Sequence, residues 1–433
     1  MKTRIHYLLK TALVFAFIPF ATQFTVAQIQ FDDWFENKAL RIDYLLSGNQ
    51  TQQHIFLDEL KAEPYWSGAH GNTIDTLNLG SYRVDVYDKA TKEHLYSKGF
   101  CTLFQEWQTI HEASYLSKSF EQVTRIPFPK KEVLVKFSFR DKSCNFEELF
   151  KFEVDPSSMF INKHGIETYK TTQILKNGNY NAKLDIAFIA EGYLPEQMGK
   201  FIEDVKKFTD YLFSHEPFHD LKTNINIWAI ESPSMHSGPT NPGKQIWNTT
   251  AVQSSFYTFG IDRYLTTTKY KRVMDIAANA PADIVYVIVN TKEYGGGGIY
   301  NHYNVCTSNH ALSNEVFIHE LGHGLAGLGD EYYDSEVAYQ DFYSLTVEPW
   351  EPNITTLVNF SSKWQDMLNP KTPIPTPSTR ENQTTIGVYE GGGYASKGVF
   401  RPYIDCRMKS NSAPGFCPVC KRSIERVINS FSE

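Results

Sequence analysis

The segment His319-Glu320-Leu-Gly-His323 contains the residue types of a metal-dependent hydrolase. Histidines four residues apart lie one turn apart on a helix, so both imidazoles can reach one ion. Zinc accepts nitrogen and oxygen ligands tetrahedrally, and in catalytic sites it keeps one position for water. Glu320 stands beside the first histidine, where it can take a proton from that water rather than bind the metal. The spacing therefore predicts one catalytic Zn²⁺ bound by His319 and His323.

Carboxylates that could complete the site follow the second histidine. Gly327, four residues after His323, is expected to end the helix and turn the chain back. Asp330 then returns a carboxylate to the metal and is the predicted third ligand. Glu331 is the nearest alternative, and Glu348 is a more distant one. The spacing alone does not decide between Asp330 and Glu331.

The histidines must be held by a helix with a buried face. Apolar residues recur every four positions at Phe317, Leu321 and Leu325, which predicts the stripe by which this helix packs. Ser313 or Asn314 is expected to cap its start. The pattern thus predicts an active-site helix with one apolar side.

The region over 28–156 has strand-like periodicity. Apolar and polar residues alternate over 82–87, 133–140 and 150–154, and turn residues separate these stretches. Short alternating strands of this kind are typical of a β-sandwich. We expect an N-terminal all-β sandwich domain that supports a second domain.

The region over 157–433 alternates between strand and helix patterns. Apolar stretches at 184–190, 224–230 and 283–290 predict strands, and the stripe within 195–213 predicts a helix. This alternation favours an α/β layer architecture.

A run of glycines follows the third of these predicted strands. Gly295, Gly296 and Gly297 belong to this run and are predicted to form a rim of the cleft that pairs with an extended substrate. A flexible surface loop is the alternative for the same residues.

The first 27 residues have the layout of a secretory signal peptide. Basic residues precede an apolar run over 12–20, and small residues at 25–27 offer a cleavage site before Gln28. No later stretch reaches the roughly 20 continuous apolar residues of a transmembrane segment. We expect a mature protein that is secreted, periplasmic or held at the cell surface.

Composition excludes several classes of protein. The chain has 433 residues, of which 41% are hydrophobic and 21% are charged, so wholesale disorder is excluded. The formal net charge is −7 and the chain has no strong basic run, so nucleic-acid binding is excluded. Aromatic residues make up 14%, which favours strands.

Six cysteines lie in the mature part, and an even number in an exported chain predicts disulfides. Their pairing cannot be deduced from spacing. A structural zinc site at Cys406, Cys417 and Cys420 is the alternative, although a fourth ligand at finger-like spacing is missing.

The sequence resembles the IgA-specific metalloendopeptidase family, the IgA peptidases. The family's signature, His-Glu-x-x-His followed by Ala-Gly-x-x-Asp-Glu-Tyr, is matched by His319, Glu320, His323, Ala326, Gly327, Asp330, Glu331 and Tyr332. Further resemblance lies at 188–193, 237–238, 401–402 and 406–408, and 41–48 resembles the family's N-terminal domain.

The resemblance implies a metzincin-like α/β zinc peptidase domain, with a mixed sheet above the active-site helix and a methionine turn beneath the metal. Met408 follows Cys406 and Arg407 at the matching position, so it would be that methionine, with ordinary core packing as the alternative.

The implied function is an exported zinc endopeptidase that hydrolyses peptide bonds in extracellular proteins, with immunoglobulin or another glycoprotein among the candidate substrates. Two alternatives remain open. One is an extracellular binding or adhesion module whose zinc site is structural, and the other is a zinc amidase acting on cell-wall or glycan-linked amides.

Overall fold

The computed structural model describes residues 29–333 and 343–432. The signal peptide predicted over 1–27 lies outside the described residues. The strands are β1 (Phe35–Gly48), β2 (Gln53–Glu63), β3 (Tyr82–Asp88), β4 (His94–Phe100), β5 (Lys118–Pro129), β6 (Val133–Arg140), β7 (Phe146–Val154), β8 (Ile161–Asn162), β9 (Lys170–Leu175), β10 (Leu184–Glu191), β11 (Ile225–Glu231), β12 (Ile284–Val289), β13 (Gly296–Gly298), β14 (Asn304–Thr307), β15 (Tyr389–Gly392) and β16 (Ala395–Arg401).

Six α-helices accompany these strands in the described ranges. They are α1 (Phe31–Trp34), α2 (Leu103–Gln108), α3 (Met198–Phe213), α4 (Tyr270–Ala277), α5 (Ser313–Ala326) and α6 (Pro418–Ser430). None of these helices is long and apolar enough to cross a membrane.

The N-terminal region is built from two four-stranded sheets. Their strand orders are β5-β1-β2-β8 and β4-β3-β6-β7, and all neighbours are antiparallel except the β2–β8 pair. The alternation seen in the sequence buries Val84, Val135 and Phe137. The ring of Tyr44, from β1 in the other sheet, lies 5.1 Å from the ring of Phe137. The predicted strand-rich N-terminal region is confirmed, and its two sheets share one apolar core.

A six-stranded mixed sheet organises the rest of the chain. Its order is β13-β14-β12-β10-β11-β9, in which the four central strands are parallel and the two edge strands are antiparallel. The strands predicted at 184–190, 224–230 and 283–290 are β10, β11 and β12. The helix predicted over 195–213 is a short 3₁₀ turn followed by α3. The α/β character of this region is therefore confirmed.

The two faces of this sheet pack against different partners. Ile186 and Phe188 of β10 belong to the core that α3, α5 and α6 cover. Ala187 and Ile189 point to the opposite face and belong to the core formed by α4 and the N-terminal sheets. Successive side chains of a strand alternate between faces, so one strand joins both cores. The N-terminal region is consequently packed onto the central sheet rather than tethered beside it.

Arg41 makes the main ionic contact between the two regions. Its guanidinium lies 2.6 Å from Asp43 and 3.3 Å from Glu63 in the N-terminal region, and 2.7 Å from Asp275 at the end of α4. The side chains of Arg41, Asp43 and Glu63 are at most 3% exposed. Buried carboxylates without a cation are strongly disfavoured, so Arg41 both neutralises its neighbours and attaches α4.

We expect Arg41→Met to lower the free energy of unfolding by about 3–5 kcal/mol, because it removes the cation closest to two buried carboxylates and leaves them only the longer contacts with Lys61 and Arg125. Urea titration, monitored by circular dichroism, measures this free energy of unfolding. The control Lys89→Met removes an exposed pair with Glu132, and it should cost at most about 1 kcal/mol. Equal effects of the two substitutions would contradict the assigned role of Arg41.

Candidate metal centre

Helix α5 presents two histidines on the side of a cavity. Its predicted stripe, Phe317, Leu321 and Leu325, is fully buried against the core beneath the sheet. His319 and His323 lie on a neighbouring face, with side chains 16% and 18% exposed. The helix is thus fixed by its apolar side, and its imidazoles stay accessible.

The ends of α5 differ in how well the sequence predicts them. The helix begins at Ser313, and Leu312 rather than Ser313 or Asn314 occupies the cap position. The Ser313 hydroxyl instead accepts the backbone N–H of His310 at 3.0 Å. Gly327 ends the helix as expected, with a left-handed φ of 59° that favours glycine. The chain then turns back toward the histidines.

Asp330 comes together with the two histidines. One oxygen of Asp330, Oδ1, lies 3.1 Å from Nε2 of His319 and 3.3 Å from Nε2 of His323. The two Nε2 atoms are 3.1 Å apart. A tetrahedral ion with bonds of about 2.0–2.1 Å would place its ligand atoms about 3.3–3.4 Å apart. The three atoms therefore lie close to three corners of such a site.

The protonation of the two rings is set by their other nitrogens. Nδ1–H of His319 donates to the carbonyl of Arg407 at 3.0 Å, and Nδ1–H of His323 donates to the carbonyl of Leu328 at 2.6 Å. Each Nε2 then presents a lone pair. Oδ1 of Asp330 is buried and receives no hydrogen bond from any described residue. Three acceptors thus face one another, which is the arrangement that a bound cation stabilises.

Asp330 is held from its other side by the hairpin of β15 and β16. The Tyr394 hydroxyl donates to Oδ2 of Asp330, and Gly393 N–H donates to the Asp330 carbonyl at 2.8 Å. Burial disfavours the charged carboxylate, but the two imidazoles, when protonated, outweigh this effect and hold the pKa of Asp330 well below its usual range. Sequence reasoning missed Tyr394, for which the only signal is the glycine run just before it.

The two alternative third ligands lie elsewhere. The carboxylate of Glu331 is directed toward Cys420, whose Sγ is 3.3 Å from Oε1, and not toward the histidines. Glu348 accepts the backbone N–H of Asn359 at 2.8 Å. The structure therefore brings Asp330 alone of the three carboxylates to the histidine pair.

Glu320 lies beside the histidines without sharing their contact with Asp330. A carboxylate oxygen of Glu320 is within 4.8 Å of a ring nitrogen of each histidine. Burial raises the pKa of Glu320, and the nearby imidazoles partly offset this effect. Strand β13 passes close by, since a Cβ on Gly296 would come within 2.8 Å of Oε1 of Glu320. A carboxylate so placed can exchange a proton with a water at the histidines.

The predicted glycine rim overlaps edge strand β13, which shares Gly296 and Gly297 with it. Gly296 and Gly297 line the cavity, whereas Gly295 packs against Phe256, whose ring would be 2.5 Å from a Cβ there. The carbonyl of Gly296 already accepts the N–H of Leu265 at 3.3 Å. Pairing of a substrate with this strand stays a prediction, and the hydrogen bond to Leu265 limits the edge available for it.

Met408 lies under α5. Its side chain is fully buried, and its sulfur would be 2.6 Å from a Cβ on Gly322, between the two histidines. The carbonyl of Met408 accepts the N–H of Glu331 at 2.8 Å. The turn over 406–408 therefore supports the histidine helix and the segment that carries Asp330. A position directly beneath the metal stays a prediction.

The histidines open onto a cavity of about 1090 Å³. The N-terminal region contributes part of its wall, including Thr102, Glu106 and Arg140. Burial raises the pKa of Glu106 to about 7, although a hydrogen bond from Tyr264 opposes this. The N-terminal region, expected to support the second domain, therefore also forms part of the cavity wall. Isolated residues such as Glu106 carry no motif that sequence reasoning could recognise.

These features together define a class of protein. Two imidazoles and a carboxylate, gathered at an open cavity with a free carboxylate beside them, form the site of a metal-dependent hydrolase. The family model described as IgA Peptidase M64 matches residues 172–386 and 378–428, and the model described as Peptidase M64 N-terminus matches residues 30–151.

The first of these models alone spans more than half of the 433 residues, so the chain belongs to the IgA peptidase M64 family and is a metallopeptidase. The resemblance recognised in the sequence is confirmed. Comparison with curated proteins finds no match.

We expect Tyr394→Phe to weaken metal binding about 10–100-fold, because it removes the hydrogen bond that orients Asp330. Competition with a chromophoric chelator measures the affinity. Tyr115→Phe is the control, since this side chain is 66% exposed and lies outside the cavity lining. Unchanged affinity in the Tyr394 variant would show that Asp330 is oriented by its other contacts.

Proposed function

We propose that the protein is an exported, zinc-dependent endopeptidase. The observation that carries this proposal is the convergence of three acceptor atoms, from His319, His323 and Asp330, within 3.3 Å of one another. Two imidazoles and one carboxylate are a common ligand set of catalytic zinc in hydrolases. The family implies a metal ion, and this donor set is what favours zinc.

Each residue of the site has a proposed role in peptide hydrolysis. A bound Zn²⁺ supplies Lewis acidity toward the scissile carbonyl and the attacking water. His319, His323 and Asp330 hold the ion, and Met408 packs beneath their helix. Glu320 takes the proton of the attacking water and passes it to the leaving amine. The backbone carbonyls of Arg407 and Leu328 keep both imidazoles in the tautomer that binds metal.

The openness of the site favours catalysis over a purely structural ion. Structural zinc sites are closed by four protein ligands, whereas His319 and His323 are each partly exposed toward the cavity. The cavity volume of about 1090 Å³ is large enough to hold several residues of a peptide. We propose cleavage within extracellular proteins, with immunoglobulin or another glycoprotein as candidates and the glycines at 295–297 as a rim. We therefore prefer an endopeptidase to an adhesion module with a structural zinc site.

The proposed fold is metzincin-like. The mixed sheet lies above α5, the chain turns back at Gly327, and the turn containing Met408 passes under the helix. We further propose that the two N-terminal sheets form a β-sandwich domain over 28–156 and that 157–433 is the peptidase domain.

We expect Glu320→Gln to lower kcat/KM on peptide substrates about 10²–10⁴-fold, because the isosteric amide cannot accept the proton of water. Its zinc content, measured by inductively coupled plasma mass spectrometry, should equal that of the wild type. Glu315→Gln, on the first turn of the same helix, is the matched control and should retain activity.

Activity retained by the Glu320 variant would overturn the proposed proton transfer. Parallel assays on proteins, peptides and glycan-linked amides separate an endopeptidase from an amidase. Hydrolysis confined to the glycan-linked amides would favour the amidase.

Export is tested separately. We expect the protein, expressed with its full N-terminus, to be recovered outside the cytoplasm with a mature N-terminus near Gln28, as read by mass spectrometry. Recovery of an intact N-terminus in the cytoplasm would contradict export without bearing on the zinc chemistry.

A further inference from the structure

A second group of metal-ligating side chains lies behind the first site. Ligand atoms of Glu331, Cys406, Cys417 and Cys420 all lie within 4.8 Å of one another. These four residues are at most 3% exposed. Cys406 precedes the turn that contains Met408, whereas Cys417 and Cys420 lie at the start of α6. The four thus come from three separate segments of the chain.

The sulfur atoms are spaced as ligands rather than as a disulfide. All six cysteines are free, so the disulfides expected from the sequence do not form in the structure. Sγ of Cys406 and Sγ of Cys420 are 3.8 Å apart, far beyond the roughly 2.05 Å of a disulfide bond. Two thiolates on a tetrahedral zinc, with bonds of about 2.3 Å, would be about 3.8 Å apart. The backbone N–H of Cys417 donates to Sγ of Cys406 at 3.2 Å, which favours a thiolate there.

Glu331 supplies an independent indication of a bound cation. Its Oε1 accepts a hydrogen bond from Asn353 at 2.9 Å, but its buried Oε2 has no hydrogen-bond partner among residues 29–333 and 343–432. Arg401 lies near enough to attract the carboxylate, yet its guanidinium donates to the carbonyls of Glu390 and Gly391. A buried carboxylate oxygen left unpaired is strongly disfavoured unless a cation binds it.

We propose that Cys406, Cys417, Cys420 and Glu331 bind a second, structural Zn²⁺. Thiolates select zinc over the harder divalent ions, and four protein ligands without solvent access form a closed site that does no hydrolysis. Glu331 is the fourth ligand that the sequence did not reveal, because it lies 75 positions before Cys406 rather than at finger-like spacing. This site does not depend on the proposed peptidase chemistry.

The second ion would join the segments that build the first site. Glu331 directly follows Asp330, and Cys406 directly precedes Arg407, whose carbonyl orients His319. The same turn accepts the N–H of Glu331 through the carbonyl of Met408. An ion bound to both segments and to α6 therefore fixes the spacing between the ligands of the catalytic metal.

Metal analysis of the full-length protein, purified without chelators, tests this proposal. We expect two zinc ions per chain in the wild type. One zinc should remain in His319→Ala/His323→Ala, and the same loss of one zinc is expected in Cys417→Ser. Cys306→Ala removes a fully buried thiol from outside the cluster and should keep both ions.

Cobalt substitution identifies the ligands of each ion. The thiolate-to-cobalt charge-transfer absorption should persist in the double histidine variant and disappear in Cys417→Ser. Loss of the ion from one site can therefore be distinguished from loss at the other, because removal of the histidine-bound ion leaves this absorption intact.

A conservative variant covers the case in which Cys417→Ser does not fold. Glu331→Gln keeps the size of the side chain and should weaken the thiolate-bound zinc at least tenfold in chelator competition. The proposal is overturned if the double histidine variant binds no zinc, if iron replaces zinc in the cluster, or if non-reducing mass spectrometry finds a disulfide between Cys406 and Cys420.

Discussion

The structure depends on one electrostatic constraint: three acceptor atoms, from His319, His323 and Asp330, are held within 3.3 Å of one another. His319 and His323 each commit their N–H to a backbone carbonyl, and the Asp330 oxygen that faces them is buried. Such a group is repulsive until a cation binds it. The surrounding structure must therefore hold these side chains together, and the apolar stripe of α5, the turn at Gly327 and the tip of the β15–β16 hairpin do so.

The sequence predicts the features that depend on neighbouring residues, but not those that depend on contacts between residues far apart in the chain. The histidine pair, the end of α5 at Gly327 and the strands β10, β11 and β12 follow from spacing and periodicity, because each depends on neighbours along the chain. Tyr394 and Glu106 could not be predicted in the same way. Their roles depend on contacts across more than 60 positions, which the packing of separate elements creates.

The choice between Asp330 and Glu331 shows the same limit at adjacent positions. Both are acidic and both follow the helix, so residue type does not distinguish them. In the structure Asp330 faces two imidazoles and Glu331 faces three thiols. The tertiary environment alone gives these neighbours different chemistry, and it is supplied by α5 on one side and by α6 with the turn over 406–408 on the other.

Thr102, Glu106 and Arg140 of the N-terminal region form part of the wall of the cavity onto which the histidines open. These residues precede the histidine helix by about two hundred positions, so the two sides of the cavity come from distant parts of the chain. The N-terminal sheets must be packed on the central sheet for the cavity to hold a polypeptide. The cavity is therefore complete only when both regions of the chain are packed together.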